Sequence, residues 1–350
     1  MLILNIKQKV MNSLIKKIII LITAISASFS VFSCKNADRK PLLPNISGKA
    51  GEVLIVVNKS DWEGNIGTEL RGLLASDCPY LPQKEPLYTL INIVPSAFTD
   101  IFQIHRNIIL VNIDSKVVKP DLLLKSDAWA RPQCVIAINA PDSEAALGLI
   151  KENSSLILNT LEQAERDRVI ANSIQYEEHS LSPIVAEMIG GSPHFPAGYA
   201  LKKKTDDFIW ISYDTQYTIQ GILIYKYPAL GNETDFSLEN IISKRNEFLK
   251  NNVPGMFDNT YMTTSDAAIP GITYMKYKGR NFTEVRGLWD VHNDFMGGPF
   301  VSHSFYSQDG KEIIVLESFV YAARYDKRHY LRQVESILYS FEWKNNDTKK

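Results

Sequence analysis

The sequence predicts an α+β protein: an N-terminal α/β domain followed by an antiparallel-sheet domain with flanking helices. Two observations carry this. In the first half, short near-continuous apolar runs alternate with stretches of helical periodicity, as strands buried between helices do. In the second half, strand-like runs follow one another with few helical stretches among them, and Gln308-Asp309-Gly310 joins the last two as a tight hairpin signal.

The elements follow in order. Glu52–Val57 reads as a strand and Trp62–Leu74 as a helix begun near Asp61. Leu87–Val94, Asn107–Ile113 and Cys134–Asn139 are strands, with a short helix over Ala97–His105. A long helix follows Pro141, capped by Asp142 or Ser143, and runs through Ile150, Ile157 and Leu161 to about Ile174. Ser182-Pro183 and Gly190-Gly191 bracket a short connecting helix. Strands are then expected at Phe208–Tyr213, Ile222–Tyr227, Ile272–Lys278, Phe282–Val291, Phe300–Ser307 and Glu312–Tyr321. A helix over Ser237–Asn251 is halted by Pro254-Gly255, and a closing helix over Asp326–Phe341 buries Leu331, Val334, Ile337 and Leu338.

Upstream of the first strand, Lys16-Lys17, an apolar run from Ile18 to Phe32 and Ser33-Cys34 follow in that order. The run falls short of the roughly 20 apolar residues a spanning helix needs. A basic stretch and a short apolar segment are the marks of a removed signal. Met11 is the expected start, because Met1–Val10 only extends a basic stretch already complete. The string resembles a bacterial lipoprotein signal with its lipobox. That resemblance implies a mature chain beginning at Cys34, held to a membrane by acyl chains such as palmitate on that residue. Two or more chains anchor firmly where one anchors marginally. Lys35 and the absence of a following acidic run point to an outer-membrane lipoprotein facing the periplasm. The expected layout is a signal peptide over 1–33, a tether over 34–49 and an α/β domain over 50–180. A connecting helix over 181–191, a β-rich domain over 192–343 and a disordered tail over 344–350 complete it.

A hydrophobic fraction of 45% against 22% charged residues is that of an ordinary globular chain, able to bury sizeable cores. A net charge of −1 supplies no basic field, so nucleic acid is not an expected partner. Cys78 and Cys134 are open between a disulfide and free thiols, the apolar surroundings of Cys134 suiting an inert buried thiol.

No motif carries catalysis. Gly190-Gly191-Ser192-Pro193-His194 fails the nucleophile-elbow pattern at its last position, and HExxH, P-loop and GxGxxG strings are absent. No CxxC pair and no metal-ligand spacing occurs, so neither metal nor cofactor is expected.

The polar residues on apolar strands are the candidates for a binding surface. Glu284 and Arg286 share a strand face with Phe282, His303 alternates with Val301 and Phe305, and Glu317 with Val315 and Phe319. Two readings stay open: a Glu–Arg pair and a satisfied histidine inside the core, or a ligand groove lined by Arg286, Trp289, His303 and Glu317. In Asp294-Phe295-Met296-Gly297-Gly298-Pro299-Phe300, glycines and proline shape a loop that either projects Phe295 and Met296 as apolar anchors or tucks them back. Arg106 sits at a helix-to-strand junction, where it either caps carboxyl ends or recognises an anion. Glu165-Arg166-Asp167-Arg168 reads as a solvated helix face.

Pro196, Gly198 and Tyr199, then a hairpin, a helix, an antiparallel run and a closing helix ending Ser340-Phe341, resemble the Mog1/PsbP-like fold. That fold serves small accessory and binding proteins more often than enzymes. From about 46 to 341 the chain is also similar to the lipoprotein family called domain of unknown function 4837. The strings that carry this include Trp62-Glu63-Gly64, His105-Arg106-Asn107, Arg286-Gly287-Leu288-Trp289 and Tyr330-Leu331-Arg332-Gln333. The resemblance implies an envelope location and an architecture, and transfers no catalytic residue. The expected protein is therefore a membrane-tethered, non-enzymatic binding or assembly factor for an envelope protein or small ligand. An envelope hydrolase with a site in the interdomain cleft is the alternative.

Overall fold

The computed structural model describes residues 42–344, so the signal segment, Cys34 and the tail from 345 lie outside the described residues. The chain is α+β. Its first sheet contains β1 (Glu52–Val56), β2 (Thr89–Ile93), β3 (Asn107–Ile113), β4 (Asp121–Ser126) and β5 (Cys134–Ala140), in the order β2-β1-β3-β5-β4. All pairings are parallel except β4 on β5. The helices are α1 (Lys59–Glu63), α2 (Asn65–Leu74), α3 (Asp100–Gln103), α4 (Ser143–Glu152) and α5 (Ser154–Gln175). Val53, Ile55, Ile109 and Ile136 pack on Leu70 of α2, Ile150 of α4 and Leu161 of α5. Leu54, Ile108 and Val135 face the other way, onto Phe98, Phe102 and Trp129.

Several expectations shift here, each for a local reason. Gly64, extended at φ −91 and ψ −154, divides the Trp62–Leu74 helix into α1 and α2. The long helix also divides. Asp142 caps α4 by accepting from Ala145 N at 2.8 Å, but the Asn153 amide donates to Leu149 O at 2.8 Å and the helix restarts as α5. The Ala97–His105 helix shrinks to α3 after a 3₁₀ turn at Pro95–Ala97. β4 escapes sequence reading because its Leu123 and Leu124 lie exposed on a sheet edge. Residues 44–49, expected in the tether, are bonded to the sheet-bearing part: Ser47 N donates to Ile104 O at 2.8 Å and Arg131 N to Pro44 O at 2.9 Å.

Downstream come α6 (Leu181–Ile189), β6 (Gly191–Ser192), β7 (Ala200–Lys204), β8 (Phe208–Asp214), β9 (Thr218–Pro228) and α7 (Leu238–Asn252). After them come β10 (Tyr261–Thr264), β11 (Gly271–Tyr277), β12 (Arg280–His292), β13 (Gly297–Tyr306), β14 (Glu312–Ala322), α8 (Arg328–Tyr339) and β15 (Glu342–Trp343). The second sheet runs β10-β12-β13-β14-β9-β8-β7, antiparallel throughout, with β11 sharing the β12 edge. β7 and β10 were not expected; Lys202-Lys203-Lys204 and Thr263-Thr264 lack an apolar face.

Helices cover both faces of this sheet. Ile211, Ile222, Ile224, Val301 and Leu316 face Val185 of α6 and Val334 and Ile337 of α8. Tyr225, Val285, Phe300, Val315 and Phe319 face Ile241 and Leu249 of α7. Burying each such side chain contributes about 1.5–3 kcal/mol. α5 spans the two halves: Ile157 and Leu161 enter the first core, and Ile170 enters the core under α8.

Candidate functional site

Glu284 and His303 are register partners on β12 and β13, so their side chains share a face, with Arg286 two residues along. That face lies under α8. Glu284 Oε1 accepts from Arg286 Nε at 2.7 Å, and its Oε2 accepts from Tyr339 Oη at 2.9 Å and lies 3.3 Å from His303 Nε2. Glu335 of α8 takes Arg286 from the other side, Nη2 to Oε1 at 2.5 Å. Arg166 of α5 reaches Glu335 at 3.8 Å and lies over the Tyr339 ring at 3.8 Å. Burial alone would raise Glu284, but Arg286 and His303 hold its carboxyl well below the usual range. Burial lowers His303, while the Glu284 carboxylate beside its Nε2 works in the opposite direction. The internal Glu–Arg pair of the first open reading describes this face, but its histidine is satisfied at Nε2 alone, His303 Nδ1 being buried without a partner among the described residues.

Trp289 and Glu317 lie on the opposite face, so the four-residue groove does not form. Strand parity decides this: Trp289 is three residues from Arg286, and Glu317 is paired with Ser302, the neighbour of His303. Trp289 is buried, its Nε1 donates to Val320 O at 3.3 Å, and its ring meets Phe319 edge-on. Glu317 is bound by Arg245 of α7, Nη2 to Oε1 at 2.8 Å, with both side chains fully buried. Sequence reading missed Arg245, although it stands between Ile241 and Leu249 on the apolar stripe of its helix.

The loop after β12 divides its two anchors. Phe295 projects fully into solvent, whereas Met296 packs onto the core around Trp289. Gly298 makes this possible, because a Cβ there would lie 2.0 Å from Val320 O.

Arg106 precedes β3 and recognises a side chain. Its Nε and Nη2 donate to the two oxygens of Glu165, each at 2.9 Å. Asn107 Nδ2 and Arg168 Nη1 complete that carboxylate at 2.7 and 2.9 Å. Capping of carbonyls falls to Arg168, which donates to Arg106 O and Pro132 O. The 165–168 run is therefore not a solvated face throughout: Glu165 is 3% exposed and Arg166 and Arg168 are half-buried, while Asp167 is exposed.

α5 and α8 pack side by side, joined by Arg332 Nη2 to Glu162 Oε1 at 2.5 Å. Arg332 lies over the Tyr88 ring and so close to Gly51, at φ +74, that a Cβ would sit 2.8 Å from its Nη1. A cleft opens on each side of this helix pair. One, of about 420 Å³, is lined by Cys78, Glu162, Arg166, Arg286, Arg332 and Glu335 among others. The other, also about 420 Å³, is lined by Arg106, Tyr199, Tyr213, Gln220, Arg332 and Gln333 among others. Gln220 is 6% exposed and Tyr199 7%, and neither side chain has a hydrogen-bond partner among the described residues. Alternation puts Gln220 on the Ile222 and Ile224 face, a polar intrusion legible in Thr218–Ile224 and overlooked.

Cys78 and Cys134 are free thiols, each pushed up to about 11 by burial. Among the described residues no three His, Cys, Asp or Glu side chains cluster as metal ligands. None of the described helices is long and apolar enough to cross a membrane.

The fold and site define an α+β protein with two large sheets and a two-stranded β6–β15 pair, a shared helix seam and a cleft on either side of it. Residues 178–340 match the family model Domain of unknown function (DUF4837), and residues 46–173 match Domain of unknown function (DUF8532). The first resemblance is thus narrower than the span of 46 to 341 expected for it, and a second family model covers the N-terminal part. No curated protein matches. Among solved structures, a crystal structure from Bacteroides thetaiotaomicron VPI-5482 is 10% identical at TM-score 0.21, covering 46% of this chain and 47% of that one. The chain therefore spans about half the length of that structure. The human StarD13 (DLC2) lipid transfer and protein localization domain is 10% identical at TM-score 0.20, covering 41% of this chain and 89% of that domain. Likenesses of this size carry no argument.

Proposed function

We propose that this is a lipid-anchored protein of the cell envelope that acts by binding, as a non-enzymatic accessory or assembly factor. The anchor is Cys34 and the expected side is the periplasmic face of the outer membrane, from the signal-like order of residues 16–34. The observation that carries the binding role is the disposition of charge between the halves. Arg106, Arg166, Arg168, Arg286 and Arg332 are spent on Glu162, Glu165, Glu284 and Glu335, while a cleft stays open on each side of the helix pair. A molecule seated in either cleft touches both halves at once.

The hydrolase alternative asks for a nucleophile activated by a neighbouring base. Cys78 lines one cleft, and Ser173 and His329 line the other, where Ser173 Oγ donates to Val169 O at 2.9 Å rather than to a base. Burial keeps Cys78 a thiol, and the residues lining its cleft include no histidine. Phe295 is a fully exposed apolar side chain that offers an anchor to a protein partner.

Cross-linking in intact envelopes, followed by capture of the wild type and of Phe295→Ala, tests the reading. A partner captured by the wild type and lost with Phe295→Ala supports it, as does release of Cys34→Ser from the membrane fraction. Hydrolysis of envelope substrates by purified protein, with no partner captured, overturns it.

A further inference from the structure

We infer that the cleft on the Gln220 side of the α5–α8 pair binds a small organic carboxylate with a planar apolar body. This names a ligand for the binding role proposed above and rests on that reading. Its volume of about 420 Å³ is in the range of small-molecule sites.

The strongest observation is Gln220. It lies in register between Tyr213 on β8 and Val320 on β14, on the face that also carries Ile222, Ile224 and Leu316. The polar end of this side chain reaches the cleft, where a hydrophobic residue would fill the same place in the core with no polar group to satisfy. Its amide opens onto the cleft with a donor and an acceptor unused. Tyr199 lines the same cleft, and its hydroxyl makes no hydrogen bond among the described residues.

Two further features set the ligand's shape and charge. The Tyr199 and Tyr213 rings stand 5.9 Å apart at 32°, an aromatic wall against which a flat body packs. The lining carries Arg106, Arg168 and Arg332 against Glu165 alone. Arg106 spends Nε and Nη2 on Glu165 and keeps Nη1. Guanidinium groups with unspent donors favour a carboxylate over a neutral group.

Isothermal titration of the full-length protein in nanodiscs with 2-naphthoate, against empty nanodiscs, tests the inference. We expect one site per chain, about tenfold weaker binding of 2-naphthamide, and about tenfold loss with Gln220→Leu. Tyr213→Ala, at a position 38% exposed, is expected to weaken binding with the fold intact, and it keeps the test decisive where Gln220→Leu perturbs folding. No saturable heat, equal affinity for acid and amide, or unchanged binding by both variants overturns the inference. Partner capture through Phe295 is measured separately, so such a failure leaves the binding reading standing.

Discussion

Arg245 and Glu317 join α7 to the centre of the second sheet as an ion pair 2.8 Å apart, with no exposure of either side chain. Arg245 Nη1 donates onward to Thr264 Oγ1 at 2.9 Å, and the guanidinium lies 3.8 Å over the Phe300 ring. Removing one partner strands a buried charge. Glu317→Ala is therefore expected to cost about 3–5 kcal/mol in denaturant unfolding. Replacing both, as Arg245→Met with Glu317→Leu, is expected to recover most of that loss. A single variant as stable as wild type contradicts the buried pair.

Stability is expected to fall in acid from about pH 6.5. Burial lowers both His105 and His303 below their ordinary 6.5. His303 is faced by Glu284, Arg280 and Glu335 as well as the Tyr339 ring. Below that pH the unfolded chain takes up protons that the folded chain resists, so the contribution is complete above 6.5 and is lost as the pH falls. The slope is at most about 1.4 kcal/mol per pH unit per histidine. Glu284, held low by Arg286, adds a further loss below its ordinary 4.5. Thermal melts between pH 8 and 5 check this, and His303→Gln is expected to flatten the decline. A melt independent of pH over that range contradicts it.

Cys78 lines a cleft yet is expected to react slowly. Its thiol is pushed up to about 11, so little thiolate is present at neutral pH. Iodoacetamide at pH 7.5 should label it far more slowly than a free thiol, and Cys134, buried in β5, only on unfolding. Rapid labelling of the folded protein at either site contradicts the assignment.

Much of the fold was legible because strong signals coincided with regular elements. β3 spans the expected Asn107–Ile113, and α7 follows Ser237, which caps it by accepting from Asn240 N at 3.3 Å. What failed was local or long-range. Gly64 and Asn153 interrupt periodic stretches through backbone geometry and a side-chain bond that hydrophobic spacing does not register. Glu165 looked solvated because its partners, Arg106 and Asn107, lie far away in sequence. The candidate site was half legible. Parity placed Arg286 with Glu284 and His303, and the same parity, applied to Trp289 and Glu317, would have removed them. Gln220 was visible as a polar residue on an apolar face; its cleft needed α5 and α8 brought together from opposite halves.

Native mass spectrometry of the protein released from isolated envelopes tests the claim of a small ligand in the Gln220 cleft most directly. The account predicts a dissociable small-molecule mass on the wild type, carried by a chain lipidated at Cys34, and absent from Gln220→Leu. A wild-type chain with no bound mass, or a mass that Gln220→Leu retains undiminished, contradicts it.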